Sequence, residues 1–422
     1  MNSRALFTRT SLVLLALLLC LLDYGKIGIG HYASAQTVRL PLKKVYLRDP
    51  IKVDQHELES EEEAARRGLS TQNVTMTNYL DVQYYASLLI GDSKHSQTFI
   101  WDTGSTLLWI PLNNCSSCPS SNKHTPSGSW SNTGVRYTIT YAVGEVSGVI
   151  ANDNVYLTSS SGASMQLLGV DTVSADLGGL QADGVLGMGP AISSGRPGTL
   201  LVEQLKNAGV IGANTFSVEY TFRDETSSIL LGGFDTSKVA SESAFSWIDL
   251  KTTSHWTVPL KKMQYGSTQI SIDADGGTLD TGTSLTLFQT ADFTNLWAKI
   301  TEGKTCGYLS GTSTRACQCN STSDFEEILF QFTGYNAYMP VSAYITFIDN
   351  SVSQDLCTFS IDSYSGDLGN IVLLGDSFLR EYYIYHDVDG KRVGLYGRTT
   401  SSSHLLTYTT LAALLVFCNF LA

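Results

Sequence analysis

Clustered basic side chains are what this sequence most lacks. Its 422 residues carry 27 Lys and Arg against 39 Asp and Glu, for a formal net charge of −12. Phosphate backbones are gripped by grouped Lys and Arg, so this balance excludes nucleic acid as a partner. Charge of either sign is sparse, at 16% of residues, while 43% are hydrophobic, the composition of a globular chain with a sizeable core in two or three domains. Proline is infrequent at nine residues, whereas 37 Gly and many Ser, Thr and Tyr separate short apolar runs. That punctuation favours a β-rich fold full of turns over a helical one. Cysteine is sparse at eight residues; Cys115-Ser116-Ser117-Cys118 would need a second thiolate or imidazole pair to hold zinc, and a local disulfide is the favoured reading, so neither a metal nor another cofactor is expected.

What is present is a repeat. Phe99-Ile100-Trp101-Asp102-Thr103-Gly104-Ser105 ends an apolar run on a tight turn carrying a carboxylate, and Gly277-Thr278-Leu279-Asp280-Thr281-Gly282-Thr283 does the same again. A lone Asp-Thr-Gly is a common loop tripeptide. Here each copy is followed downstream by two apolar residues and a Gly, Val185-Leu186-Gly187 in the first half and Leu373-Leu374-Gly375 in the second. These four matched pieces resemble the pepsin-like aspartic proteases, and the resemblance runs from about Asn78 to Tyr396. It implies a mostly β, two-lobed acid protease fold with the cleft between homologous lobes, 73–250 and 251–398, and a monomer acting on protein or peptide substrates. The stretch Asn78 to Tyr85 looks like the first mature strand, although Asp92-Ser93 stands where the family has Thr-Pro.

The resemblance assigns roles residue by residue. Asp102 and Asp280 would be the catalytic pair; Gly104 and Gly282 permit the close turns, Ser105 and Thr283 would donate to the outer carboxylate oxygens, and Thr103 and Thr281 would buttress the two loops. Arg136 to Gly148 reads as a hairpin from its alternation and central Gly. By resemblance it is the flap over bound peptide, with Tyr141 at the flap tyrosine position, while Ala142, Val143 and Glu145 depart from the usual tip. Ile100, Val185 and Leu279 would line apolar pockets beside the pair, or else simply pack the core. Thr199 to Ala208, with Thr at the cap and Gly209 at the end, and Thr290 to Ile300 read as helices in matching places. The closing segment, Tyr382 to Asp387 and Arg392 to Tyr396 around Val388-Asp389-Gly390, reads as a hairpin.

Peptide hydrolysis without a metal or covalent nucleophile needs a base to activate water and an acid to protonate the carbonyl oxygen and the leaving nitrogen. Two close carboxyls sharing one proton supply both, because like-charge repulsion keeps one of them protonated in mild acid. The expected activity is an aspartic endopeptidase made as a zymogen. The competing reading is a catalytically silent, pepsin-like peptide-binding protein.

The ends of the chain carry separate expectations. Arg4 and Arg9 precede the apolar run Leu12 to Leu22, and Ala33-Ser34-Ala35 offers a cleavage site, so residues 1–35 read as a secretory signal peptide, with an uncleaved anchor as the alternative. Residues 36–72 differ in composition, and Thr37-Val38-Arg39-Leu40-Pro41-Leu42-Lys43-Lys44 is similar to the start of an inhibitory propeptide. The protein is therefore expected in the secretory pathway, whether secreted, lysosomal or vacuolar, or anchored at the cell surface. Residues 399–422 form a tail with Ser401-Ser402-Ser403 ahead of an uncharged apolar run, Leu405 to Ala422. A glycolipid-anchor signal, a spanning helix and plain secretion are all compatible with it. A secretory route favours disulfides. Six Cys remain in the body and permit 15 pairings; the resemblance implies Cys319 with Cys357 and Cys306 with Cys317, leaving Cys115 with Cys118 as a local bridge. Asn73, Asn114 and Asn320 head glycosylation triplets.

Overall fold

A computed structural model describes residues 71–397, apart from 80–82, 142–143, 222–225, 310–312, 349–354 and 366–367. The expected signal segment, nearly all of the expected propeptide, the flap-tip residues Ala142 and Val143, and the apolar tail lie outside the described residues. Among the described residues the chain is mostly β, in the two-lobed pepsin-like arrangement: a 13-stranded sheet, an eight-stranded sheet and a four-stranded one.

The duplication seen in the motifs is a duplication of topology. In the first half, His95–Asp102 runs parallel to Gly184–Gly187, which pairs antiparallel with Trp109–Pro111, which in turn runs parallel to Gly162–Val173. In the second, Gly276–Leu279 runs parallel to Ile371–Leu374, which pairs antiparallel with Thr286–Gln289, parallel to Ile361–Tyr364. Each Asp-Thr-Gly turn thus crosses from one flank of an apolar central strand to the other. The crossing is close: a Cβ on Gly187 would lie 2.4 Å from Leu107 N, and one on Gly375 would lie 2.2 Å from the carbonyl oxygens of Thr283 and Leu285. That contact is why both strands end in Gly.

Several expected elements shift. Asn78 to Tyr85 is not one strand: Gln72–Tyr79 and Gln83–Ile90 pair antiparallel with each other, so that stretch spans a hairpin. Within Gln83–Ile90 the side chains alternate, and Tyr84, Ala86, Leu88 and Ile90 are buried. The Asp92-Ser93 substitution leaves the strand ends paired, Ile90 opposite His95. The first helix is Leu201–Asn207, preceded by Leu200 without a side-chain cap. Thr199 does not cap it, because its N–H and hydroxyl are engaged by Gln166 of the neighbouring strand. Gly209 follows the helix end in the left-handed region, at φ 70°. The second helix, Thr290–Ile300, buries Phe293, Leu296 and Ile300 on one face. Its buried Asp292 accepts from the amides of Asp273 and Ala274 (2.7 and 3.0 Å).

The closing hairpin, Tyr382–Asp387 with Arg392–Gly397, forms as expected but belongs to the 13-stranded sheet. Its first strand pairs with Thr215–Glu219 and its second with Ser246–Asp249. Residues 382–397 are thereby stitched to strands that precede residue 250. Disulfides join Cys115 to Cys118, Cys306 to Cys317 and Cys319 to Cys357.

Candidate active site

The two Asp-bearing strands end facing one another. Asp102 and Asp280 are 6% and 8% exposed. In the first turn the Gly104 amide donates to Asp102 Oδ1 (2.8 Å) and Ser105 Oγ donates to Oδ2 (2.5 Å). In the second, the Gly282 amide donates to Asp280 Oδ1 (2.9 Å) and Thr283 Oγ1 to Oδ2 (2.7 Å). Each carboxylate therefore has one oxygen fixed by backbone and the other by a hydroxyl, at the same places in both loops.

The loops hold each other. Thr103 N donates to Thr281 Oγ1 and Thr281 N donates to Thr103 Oγ1, both at 2.9 Å. Each hydroxyl then donates onward to the residue before the opposite Asp: Thr103 Oγ1 to the Leu279 carbonyl (2.8 Å) and Thr281 Oγ1 to the Trp101 carbonyl (2.6 Å). Buried hydroxyls bonded twice cannot rotate away without leaving donors and acceptors unpaired, so the turns are rigidly registered. Register brings each carboxylate against the other loop's glycine. A Cβ on Gly104 would lie 2.5 Å from Asp280 Oδ1, and one on Gly282 would lie 2.4 Å from Asp102 Oδ1.

Burial, and then the nearby Asp280 charge, hold the Asp102 carboxyl well above its ordinary range against the opposing pull of the Ser105 hydroxyl and Gly104 amide. The pair retains a proton at a pH where an isolated carboxyl has lost it, and that proton belongs to the pair rather than to one residue.

The expected flap strands are Ser131–Thr140 and Glu145–Tyr156. Tyr141 N donates to the Gly144 carbonyl (2.9 Å), and Gly144 lies at φ 81°. Ser174 clamps the returning strand: its hydroxyl accepts from Glu145 N (2.9 Å) and its amide donates to the Glu145 carbonyl (2.9 Å). The Tyr141 hydroxyl accepts from Trp109 Nε1 (2.9 Å). Burial, followed by the Asp102 charge, pushes its phenol up and keeps it protonated. Tyr141 packs on an apolar cluster that includes Ile100, Trp109, Val146 and Val185. Ile100 and Val185 keep 8% and 7% exposure there. Leu279 is not brought to this surface: at 1% exposure it sits in the main core, where its carbonyl serves Thr103.

Trp109, Ser174 and Trp256 were not singled out by the sequence pattern. Trp256 is fully buried, donates Nε1–H to the Met188 carbonyl (2.8 Å) and accepts at its own carbonyl from Leu279 N (3.0 Å). One residue thus braces the backbone beside both turns, since Met188 N donates to the Asp102 carbonyl (2.7 Å). A buried Trp usually finds an acceptor for its indole N–H, and that tendency is the one sequence signal the two tryptophans carry; Ser174 carries none.

Residues 83–397 match the model of the family described as eukaryotic aspartyl protease. The chain is similar to pepsin II-2/3 of Oryctolagus cuniculus, 30% identical over 330 residues that cover 76% of this chain and 82% of that protein. It is similar to pepsin A of Sus scrofa, 28% identical over 367 residues (84% and 91% of the two chains), and to pepsin A of Bos taurus, 28% identical over 328 residues (76% and 85%). This chain belongs to the eukaryotic aspartyl protease family and is an aspartic-type endopeptidase.

Proposed function

We propose that Asp102 and Asp280 are the catalytic dyad and that they hydrolyse peptide bonds at acidic pH through a water molecule activated between them. The observation that carries this reading is the reciprocal threonine lock, which sets each carboxylate against the opposite loop's glycine. The ionised carboxylate takes a proton from the attacking water, and the protonated partner gives its proton to the scissile carbonyl oxygen. A tetrahedral diol results. Its collapse breaks the C–N bond as one carboxyl delivers its proton to the departing nitrogen and the other takes a proton from a diol hydroxyl, which becomes the product carbonyl, so the pair is restored with one proton. Ser105 and Thr283 keep the outer oxygens oriented, and Tyr141, braced by Trp109, closes over the peptide. Ile100 and Val185 offer apolar surface beside the cleaved bond.

The same reading extends to the whole chain. Residues 1–35 direct it into the secretory pathway, 36–72 inhibit it until acid removes them, and 73–250 and 251–398 are its lobes. The mature enzyme is a monomer, delivered to the exterior, to a lysosome or vacuole, or to the cell surface. The exposure of Asn73, Asn114 and Asn320 supports glycosylation. A glycolipid-anchor signal is the preferred reading of 399–422. A statine-type peptide inhibitor added to acid-processed protein tests the dyad: near-stoichiometric inhibition is expected, with calorimetric binding of the inhibitor that Asp102→Asn weakens. Undiminished proteolysis in the presence of saturating inhibitor would overturn it.

A further inference from the structure

Two basic side chains, neither in an ion pair with a described carboxylate, stand on segments bonded to the Asp turns of this acidic protein. Five arginines lie among the described residues. Arg136, Arg315 and Arg392 are bonded to carboxylates, and Arg380 is buried. Arg196 is exposed, and no described carboxylate pairs with it. Its loop is anchored at both ends on the chain leaving Asp102. Gly189 N donates to the Ser105 carbonyl (2.7 Å), and a Cβ on Gly198 would lie 2.5 Å from Leu107 Cδ1. Between these anchors Arg196 N donates to the Ser193 carbonyl (3.0 Å), with Gly195 at φ 80°, a turn that lifts the guanidinium away from the core.

The second is His255, on the Asp280 side. It precedes Trp256, whose carbonyl receives the amide of Leu279, one residue before Asp280. Trp256 points inward and is fully buried, while His255 is exposed and its ring Nδ1 is bonded to Ser254 Oγ at 3.1 Å. The charged groups acting on the imidazole are Asp280, which favours its cation, and Arg196, which opposes it; partial burial dominates and holds it below its usual value. Its cation therefore forms less readily than that of a free imidazole, and a further negative charge beside it would favour that cation. Trp256 Nε1–H donates to the Met188 carbonyl (2.8 Å), one residue before Gly189, the first anchor of the Arg196 loop, so the segments that carry His255 and Arg196 are bonded to each other beside the turns.

We infer that Arg196 and His255 form a cationic subsite that selects substrates bearing an acidic side chain close to the cleaved bond. A peptide carboxylate there meets a planar guanidinium donor that no described carboxylate holds, and an imidazole bonded only through Nδ1 to Ser254. Arg196 opposes the imidazolium when the site is empty, and a bound carboxylate offsets that opposition. This inference rests on the dyad reading only in taking the cut to fall between Asp102 and Asp280.

The test uses matched peptides in which Glu replaces Gln at one position at a time around the cleaved bond, assayed at about pH 5.5, where a free Glu side chain is ionised. At one position Glu should raise kcat/KM roughly fivefold over Gln, through KM rather than kcat. Arg196→Gln and His255→Gln should each bring the ratio towards one, Arg196→Lys should retain part of it, and high salt should shrink it. The same ratio is read without turnover by calorimetry on uncleavable reduced-bond peptides. A Glu/Gln ratio of one at every position in both measurements, or a preference unmoved by Arg196→Gln, overturns the subsite. Failure of the dyad reading looks different: Asp102→Asn would still cleave the Gln peptides.

Discussion

Adding one methyl group at Gly282 isolates the geometry on which the chemistry depends. Gly282 does not have a positive φ, so alanine is allowed by the backbone and the effect is one of contact alone. The new Cβ would fall 2.4 Å from Asp102 Oδ1, 2.7 Å from its Cγ and 3.2 Å from Asp280 Oδ1. Ordinary contact requires the carboxylate to retreat by roughly 1 Å, in a site where interiors are packed to crystal density. Displacement of a reacting group by about 1 Å costs on the order of 100-fold in rate, or about 2.7 kcal/mol of transition-state stabilisation. Overpacking costs roughly 1–3 kcal/mol of stability as well. The assay is kcat/KM on an internally quenched peptide at acidic pH, with Tm measured in parallel. Gly104→Ala should behave alike, since its Cβ would meet Asp280 Oδ1 at 2.5 Å. Gly307→Ala, whose Cβ would have nothing within 4 Å, is the control and should match the parent in both readouts. A Gly282→Ala enzyme within threefold of the parent would refute the reasoning, because it would show that the carboxylate is not held where its function requires.

Thr103→Val should destabilise the fold by roughly 2–4 kcal/mol, because the buried Thr281 amide and Leu279 carbonyl lose their shared partner, while Thr103→Ser should recover most of that. Equal denaturation midpoints for the two variants would contradict the lock. His386 supplies a pH-linked prediction. Burial between Phe216 and Trp256 pushes its imidazole from 6.5 down to about 3. Between those values the unfolded chain binds a proton that the native chain does not, so stability falls as pH drops through that window. By pH 4 the loss is roughly 3 kcal/mol. His386→Phe should therefore narrow the gap in Tm between pH 7 and pH 4. An unchanged gap would show that this imidazole is not the source of the acid sensitivity.

The parts of the fold legible in the sequence are those encoded by local repetition. Both Asp-Thr-Gly turns, both apolar-Gly strands, the Thr290–Ile300 helix and the Arg136 to Gly148 hairpin follow from short patterns, although the turns and the apolar-Gly strands make their contacts with residues far along the chain. Pairings between distant strands carry no such mark. The closing hairpin reads correctly as a hairpin, but nothing in Tyr382 to Tyr396 announces that it pairs with Thr215–Glu219 and Ser246–Asp249. Thr199 illustrates the same limit at one residue, since a hydroxyl before an apolar-periodic run suggests a cap and here serves Gln166 instead. The second layer of the site was hidden for a related reason. Trp256 matters through a backbone carbonyl and an indole N–H that reach residues 23 and 68 positions away, and side-chain type alone does not disclose such bonds.

The central claim is that two carboxylates, contributed by the two halves of the chain, share the proton that peptide hydrolysis uses. Asp102→Asn and Asp280→Asn, made separately in the full chain and assayed after acid processing, test it most directly. Each keeps the size and most hydrogen bonds of the turn while removing a titrating oxygen. Each should lose proteolysis by several orders of magnitude, and Asp102→Asn should keep a Tm near or above that of the parent, because a buried carboxyl held above its usual range destabilises the native state once pH exceeds its unfolded value. Cleavage of a peptide substrate at the parental rate by either variant would contradict the account.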